Sequence, residues 1–413
     1  MSKIYGLLGE KLSHSLSVPI HNALGNTDYK LFELKESELE AFLRQPDLGG
    51  VNVTIPYKQA VMPFLDEISP EAQAIGAVNT IVNRNGRLFG YNTDKEGFMM
   101  MVKCLGVDFS GKKVIIFGRG GASKTAVYCS QMLGASEVAV IGSKDNTPEN
   151  IAKHIDAKII VNATPVGMKP NYLKSALDLN DFPQCEGVID MIYNPLRTKL
   201  IMDAEFRGIK AIGGLIMLTS QAKRAHEYFF DTIVTDEFSK KCAEDLWKQN
   251  ENIVLVGMPG SGKTTVGKLL SLLSDREYIE IDEEIVKAAG KPVPEIFKES
   301  GEEGFRKLES EITLGASTKN GVIIITGGGV VTRSENYYPL HQNSRIYEIT
   351  RDLDSLATDG RPLSAGGIDA LKRMYEIRKP MYEKFRDVTI ENKKDALDTA
   401  RAIWEDFCEN TCY

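Results

Sequence analysis

The sequence predicts an α/β protein made of two successive parts. Short β-branched apolar runs alternate with helix-patterned segments along the whole chain, two of the strand-to-helix junctions (118–123 and 257–265) are glycine turns, and 413 residues exceed one ordinary domain. Charged residues at 26% and hydrophobic residues at 42% fit a soluble globular chain. A net charge of −7 with no Lys/Arg-rich block argues against a nucleic-acid partner. No apolar run reaches the length of a membrane span, and Met-Ser-Lys-Ile-Tyr leads into a strand pattern instead of a signal peptide, so the expectation is a cytoplasmic protein without membrane partners. Cys104, Cys129, Cys185, Cys242, Cys408 and Cys412 lack metal-ligand spacing and read as free thiols.

In chain order, strand patterns at 4–8, 29–34, 50–54 and 78–83 alternate with helix patterns at 36–43 and 70–75. Asp94 opens a helix that carries Phe98, Met101, Val102 and Leu105, and Gly106 ends it. The strand at 113–117 breaks into Gly118-Arg119-Gly120-Gly121-Ala122-Ser123 and then a helix with Ala126, Val127, Cys129 and Met132. That order is the first βα turn of a dinucleotide-binding domain, with the pyrophosphate on the helix N-terminus, although the spacing is not Gly-x-Gly-x-x-Gly. The next strand, 137–141, ends in Gly142-Ser143-Lys144-Asp145. At that position Ser143 and Lys144 favour NADP, and Asp145 favours NAD. Strands at 158–161, 187–191 and 209–212 complete the sheet, and Gly213-Gly214 begins a long helix through Leu218, Ala222, Ala225 and Phe229. The charged segment that follows is helical to Trp247, and Lys-Gln-Asn-Glu-Asn then marks a linker at 246–251.

Residues 252–265, Asn-Ile-Val-Leu-Val-Gly-Met-Pro-Gly-Ser-Gly-Lys-Thr-Thr, open the second part with a phosphate-binding loop. Gly257, Gly260 and Gly262 clear space for backbone N–H groups around Ser261, and the helix through Val266, Leu269, Leu270 and Leu273 aims its positive end there. Lys263 is placed on the β/γ-phosphates and Thr264 on a magnesium ion, with Thr265 completing the loop, so ATP or a close relative is the expected ligand. Beyond it come a strand at 278–281, helices to about 318, strands at 322–326 and 345–349, a Gly-rich segment at 358–367 and two closing helices, which make one compact α/β domain of nucleotide-kinase size.

Residues 1–245 resemble shikimate dehydrogenase. The matching pieces are His14-Ser15-Leu16-Ser17, Asn52-Val53-Thr54-Ile55-Pro56-Tyr57-Lys58, Gly76-Ala77-Val78-Asn79-Thr80, Asn92-Thr93-Asp94, the Gly118 turn, Asn162-Ala163-Thr164-Pro165-Val166-Gly167-Met168, and Gly214 through Gln221-Ala222. The resemblance implies a substrate domain (1–100 plus 213–245) around a Rossmann-type NADP domain (101–212). It implies that Lys58 is the acid/base and Asp94 its partner, which is sound chemistry: an ammonium stabilises a developing alkoxide and the carboxylate orients it. Ser15 and Ser17 would take the substrate carboxylate, and Thr54, Asn79, Tyr193, Gly214 and Gln221 its ring. Gly118, Gly120, Gly121, Ala122, Ser123, Ser143, Lys144, Asn162, Thr164, Met168 and Met217 would meet the cofactor. His14 and His21 would shape the first loop. The chain departs from the family at Val18, which precedes Pro19, and at Ser143-Lys144-Asp145 followed by Pro148, where the family has Asn-Arg-Thr and a second Arg. An NAD-dependent quinate/shikimate dehydrogenase is the alternative that these residues leave open.

The second part, 252–413, resembles shikimate kinase. Its pieces are Asp282, Gly301-Glu302-Glu303-Gly304-Phe305-Arg306 with Glu309, Thr326-Gly327-Gly328-Gly329, Arg361-Pro362-Leu363, and Arg378-Lys379-Pro380-Met381-Tyr382. The resemblance implies that Arg306 and Arg378 grip the shikimate carboxylate through planar forks, that Gly328 lets backbone approach the polyol, that Asp282 takes the hydroxyl proton, and that Arg361 is a lid arginine over ATP. Glu280 replaces the family's first Asp, and the lid at 358–367 is short. The expectation is a fusion that reduces 3-dehydroshikimate with NADPH and phosphorylates shikimate with MgATP, as a monomer or weak homo-oligomer. Against the alternative of one half as a non-catalytic ligand sensor stand the intact Lys58, Asp94, Lys263, Asp282, Arg306 and Arg378.

Overall fold

A computed structural model describes residues 3–12, 15–168, 170–352, 367–393 and 395–410. The chain divides into two compact units, Met1–Asn194 with Thr198–Ala243, and Pro195–Arg197 with Glu244–Tyr413.

The first unit holds two sheets. One has six strands in the order β2-β1-β3-β5-β6-β4, with β1 Ile4–Gly9, β2 Lys30–Glu33, β3 Leu48–Val53, β4 Glu67–Ile68, β5 Thr80–Arg84 and β6 Arg87–Tyr91. Strand β1 runs parallel to β2 and β3, whereas β3, β5 and β6 form an antiparallel meander. Helices α1 Ser17–Ala23, α2 Leu39–Leu43, α3 Pro70–Ile75 and α4 Asp94–Leu105 interleave with these strands. Leu8, Leu43, Val51, Val61, Ile81 and Leu88 form the core of this lobe. Every residue of β3 is buried, as a central strand covered on both faces requires.

The second sheet has five parallel strands in the order β11-β10-β9-β7-β8. They are β7 Lys113–Phe117, β8 Glu137–Ile141, β9 Ile159–Asn162, β10 Gly187–Asp190 and β11 Lys210–Ile212. Helices α5 Gly121–Met132, α6 Pro148–Ile151 and α7 Lys199–Phe206 connect them, and α8 Leu215–Phe230 returns the chain to the first lobe along α4. The expected division at residue 100 falls inside α4, so one continuous helix bridges the two lobes.

The linker expected at 246–251 is helix instead. Helix α9 spans Asp236–Asn250 and the unit boundary lies within it, after Ala243. The polar run after Trp247 supplies, in Lys248, Gln249 and Asn250, the last turn of an amphipathic helix whose Cys242, Ala243, Leu246 and Trp247 are buried, and that burial outweighs the turn-like composition.

The second unit contains five parallel strands in the order β13-β14-β12-β15-β16. These are β12 Asn252–Val256, β13 Tyr278–Glu280, β14 Ile323–Ile325, β15 Ser344–Thr350 and β16 Val388–Glu391. Around them lie α10 Lys263–Ser274, α11 Ile281–Ala289, α12 Val293–Ser317, α13 Tyr337–His341, α14 Gly367–Phe385 and α15 Ala396–Glu409. Alternation along β12 sends Val254 and Val256 to one core and Ile253 and Leu255 to the other, so both faces of the sheet are covered. Strands β4, β6 and β16 have no counterpart in the sequence expectation. Two residues are too few for a pattern in β4, β6 carries Gly90 in its apolar run, and β16 sits between the two helices expected at the end.

Candidate active sites

In the first unit the loop after β3 carries Lys58 and the start of α4 carries Asp94. Their Nζ and Oδ2 atoms are 2.5 Å apart, with side chains 16% and 7% exposed. The second carboxylate oxygen of Asp94 accepts 2.9 Å from Asn79 Nδ2, and Asn79 Oδ1 in turn accepts from the Thr93 amide at 2.7 Å. Asn79, expected among the ring-hydroxyl ligands, is 2% exposed, and it donates to Asp94 and accepts from Thr93. Asn52 extends the network, accepting from the Tyr29 hydroxyl at 2.8 Å and donating to Thr80 Oγ1 at 3.0 Å.

Of the remaining expected substrate ligands, Gln221 touches this network. Thr54 is half-buried at the end of β3, and its amide donates to Leu8 O. Ser15 Oγ accepts the Ser17 amide at 3.2 Å, which sets the entry of α1, and Ser17 is itself buried. Gln221 Oε1 accepts from Thr93 Oγ1 at 3.4 Å. Gly214 caps α8 at its N-terminus. Tyr193 is half-buried, and burial raises its phenol above the ordinary value. His14 lies outside the described residues. His21 is buried, its ring stacked on Tyr29 at 3.8 Å between centroids, and burial followed by the nearby His226 pushes its pKa down to about 3. A neutral, stacked imidazole fits the loop-shaping role expected of it.

The dinucleotide turn comes next to Lys58. A Cβ on Gly121 would stand 3.3 Å from Lys58 Cδ, and one on Gly120 would meet none of the described residues within 4 Å. The turn thus leaves a bare backbone cradle at the N-terminus of α5, with Ala122 in its first turn, and the residues fit a pyrophosphate there. Two expected cofactor ligands also make hydrogen bonds within the fold. Ser123 is buried and its hydroxyl donates to Gly118 O at 2.7 Å. Asn162 is 1% exposed, donates to Asp190 Oδ1 at 3.0 Å and accepts from Thr164 N and Oγ1 at 3.1 and 2.7 Å, which ties down the loop after β9. Asp190, wholly buried, has its pKa raised to about 6 by desolvation against three hydrogen bonds. Thr164 also accepts the Val166 amide at 3.1 Å. Met168 is 40% exposed beyond that loop, Met217 is buried at the start of α8, and Ser143 and Lys144 are exposed after β8.

In the second unit Lys263 is the first residue of α10 and 8% exposed, and its Nζ donates to Gly257 O at 2.9 Å and Met258 O at 3.0 Å. Gly257, Gly260 and Gly262 all have positive φ (142°, 87° and 99°), so the loop curls in a way that side chains would strain. Among the described residues Ser261 Oγ is buried without a hydrogen-bond partner, and the loop fits a phosphate ligand. Thr264 Oγ1 donates 2.6 Å to Glu280 Oε1, so the longer arm of Glu280 reaches the hydroxyl expected on magnesium. That pair offers hard oxygen donors suited to the ion. Thr265 is exposed one residue on. Sequence reasoning missed Asn392, whose Nδ2 donates to Ser261 O at 2.8 Å and braces the loop from behind. The only cue was the alternating Val388-Thr389-Ile390-Glu391 just before it.

The acceptor side is gathered on Gly327-Gly328-Gly329. A Cβ on Gly327 would stand 2.6 Å from Glu309 Oε1 and 3.0 Å from Asp282 Oδ1, one on Gly328 would enter the Pro259 ring at 2.7 Å, and one on Gly329 would meet the Arg306 guanidinium at 2.2 Å. Arg306 donates to Glu309 at 2.7 Å, and Arg378 and the Tyr382 hydroxyl both donate to Gly328 O, at 2.9 and 2.6 Å. Burial raises the Glu309 carboxyl above its ordinary value, opposed by Arg306. Glu280 is the N-cap of α11 and Asp282 lies exposed in its first turn, not at the cap itself. Arg361 and the 358–366 segment lie outside the described residues.

Comparison with known proteins agrees with both halves. A family model described as shikimate dehydrogenase substrate binding domain matches residues 7–81, and one described as shikimate kinase matches residues 259–408. The chain is 36% identical to a shikimate dehydrogenase (NADP(+)) from Symbiobacterium thermophilum, over 55% of this chain and 89% of that protein. A chorismate mutase/shikimate 5-dehydrogenase fusion protein from Clostridium acetobutylicum is 33% identical, covering 60% of this chain and 97% of that one with a TM-score of 0.55. Shikimate 5-dehydrogenase from Thermus thermophilus, solved with NADP(H) and shikimate, is 31% identical, covering 59% and 99% with a TM-score of 0.52. The protein therefore belongs, through its first unit, to the shikimate dehydrogenase family, and it carries a shikimate kinase domain behind it.

Proposed function

We propose that the first unit reduces 3-dehydroshikimate to shikimate with NADPH and that the second transfers the γ-phosphoryl group of MgATP to the 3-hydroxyl of that product. The protein is a bifunctional shikimate-pathway enzyme, with its two chemistries in separate units. The observation that carries the reading is the largely buried Lys58–Asp94 pair abutting the dinucleotide turn. In the reduction NADPH supplies the hydride. Lys58 delivers the proton to the carbonyl oxygen, Asp94 fixes the direction of the ammonium, and Asn79 stops the carboxylate from rotating. In the kinase unit MgATP supplies the phosphoryl group. Asp282 takes the hydroxyl proton, Arg306 and Arg378 hold the shikimate carboxylate, and Lys263 neutralises phosphate charge.

Two assays on the purified chain test this, shikimate-dependent NADP reduction and shikimate-dependent ADP release. Lys58→Ala is expected to abolish the first alone and Lys263→Ala the second alone. Loss of both activities from either change, in a chain that stays folded, would contradict two independent sites.

A further inference from the structure

The residues after β8 leave the nicotinamide cofactor undecided, because Lys144 and Asp145 point in opposite directions. The structure adds a group from elsewhere. Arg119, from the glycine turn after β7, lies across Gly142: a Cβ there would stand 2.7 Å from Arg119 Nε and 2.9 Å from Cδ. Its guanidinium pairs with Asp145 Oδ2, the same oxygen that accepts the Gly142 amide at 3.3 Å. Asp145 is thus folded back onto its own turn and onto Arg119. Arg119, Val140, Lys144, Asp145, Thr147 and Asn150 are among the residues lining an open cavity of about 530 Å³ at the end of β8. This is where a dinucleotide fold places the adenosine ribose.

We propose that Arg119, with Lys144, receives the ribose 2′-phosphate of NADP, and that Asp145 is a positioning carboxylate for Arg119 and not a ribose ligand. A planar guanidinium suits a phosphate monoester, and two cations in this cavity replace the Arg-Thr pattern that the sequence lacks after β8. The assignment rests on the dehydrogenase reading above but can be tested apart from it. Isothermal titration of the full chain, its phosphate loop saturated beforehand with ATP, with adenosine 2′,5′-bisphosphate and with AMP isolates the 2′-phosphate. The wild type is expected to bind the bisphosphate more tightly, and Arg119→Ala to weaken it roughly 10- to 100-fold while leaving AMP within about twofold. Asp145→Asn is expected to change binding of the bisphosphate more than binding of AMP, because its role runs through Arg119 and involves no bond to the ribose. Equal weakening of both ligands by Arg119→Ala, no preference in the wild type, or an equal effect of Asp145→Asn on both ligands would overturn the assignment. A chain that binds the bisphosphate through Arg119 but reduces neither NAD nor NADP with shikimate would instead sink the dehydrogenase reading and leave Arg119 in place.

Discussion

Replacing Gly329 by alanine tests the acceptor cradle of the kinase unit most directly. Gly329 has φ −106°, open to any L-residue, so the change acts through space alone. The new Cβ would stand 2.2 Å from Arg306 Cζ, Nη1 and Nη2, so the guanidinium must retreat by about 1.3 Å to reach an ordinary 3.5 Å contact. It has little room, being 6% exposed and held by Glu309 at 2.7 Å and Glu302 at 3.3 Å. A displacement on the order of 1 Å in a substrate-positioning group lowers rate about 100-fold, equivalent to about 2.7 kcal/mol of transition-state binding. Overpacking is expected to destabilise the unit by about 1–3 kcal/mol. The assay is ADP release with shikimate varied at saturating ATP. Gly329→Ala should lower kcat/KM for shikimate about 100-fold and leave KM for ATP within about threefold. NADP reduction by the first unit should not change. Gly315→Ala is the control, since it lies on the same helix as Arg306 and its Cβ would meet none of the described residues within 4 Å. Wild-type kcat/KM for shikimate in Gly329→Ala would refute the view that Arg306 must lie against this glycine to work.

Two further expectations concern the first unit. If Asn79 works by holding Asp94, Asn79→Ala should lower dehydrogenase kcat about 10- to 100-fold with KM for shikimate changed less than about threefold, because it frees the Asp94 carboxylate. A rise in KM alone would return Asn79 to the ring-hydroxyl ligands. The second expectation is a pH dependence: His21 stays neutral when folded down to about pH 3, whereas the unfolded chain takes up its proton below about 6.5, so stability falls as pH drops through that window. Between pH 6.5 and 5 this amounts to at most about 2 kcal/mol, or several degrees in the melting temperature of the unit. His21→Phe keeps the stack on Tyr29 and should flatten that part of the profile. An unchanged slope in thermal melts of the variant would exclude His21 as the source.

Much of each site was legible because its chemistry sits in short contiguous motifs. The phosphate loop, the Gly118 turn and Asp94 stand where a strand ends or a helix begins, positions that local pattern reveals, and Lys58 lies in the loop after β3. What escaped was the division of labour among polar side chains. Asn79, Ser123 and Asn162 look like ligands in sequence, yet each is buried and engaged internally. A hydroxyl or amide declares its donors and acceptors but not its partners, which come from segments far along the chain: Asp190 for Asn162, Asp94 for Asn79. Asn392 shows the converse, a residue with no motif that reaches 131 positions back to brace the phosphate loop.

The sequence by itself determined that this is an α/β chain with a dinucleotide turn and a phosphate loop, and that its residues resemble those of two consecutive enzymes. Those features follow from periodicity, glycine placement and motif order, all of them local. Only the tertiary structure decided that helix α9 replaces the expected linker, that three adjacent glycines make room for Glu309, Asp282, Pro259 and Arg306, and that Arg119 lies beside Asp145. Each of these depends on which atoms from distant segments share a few ångströms of space, and close packing settles that only when the chain is folded.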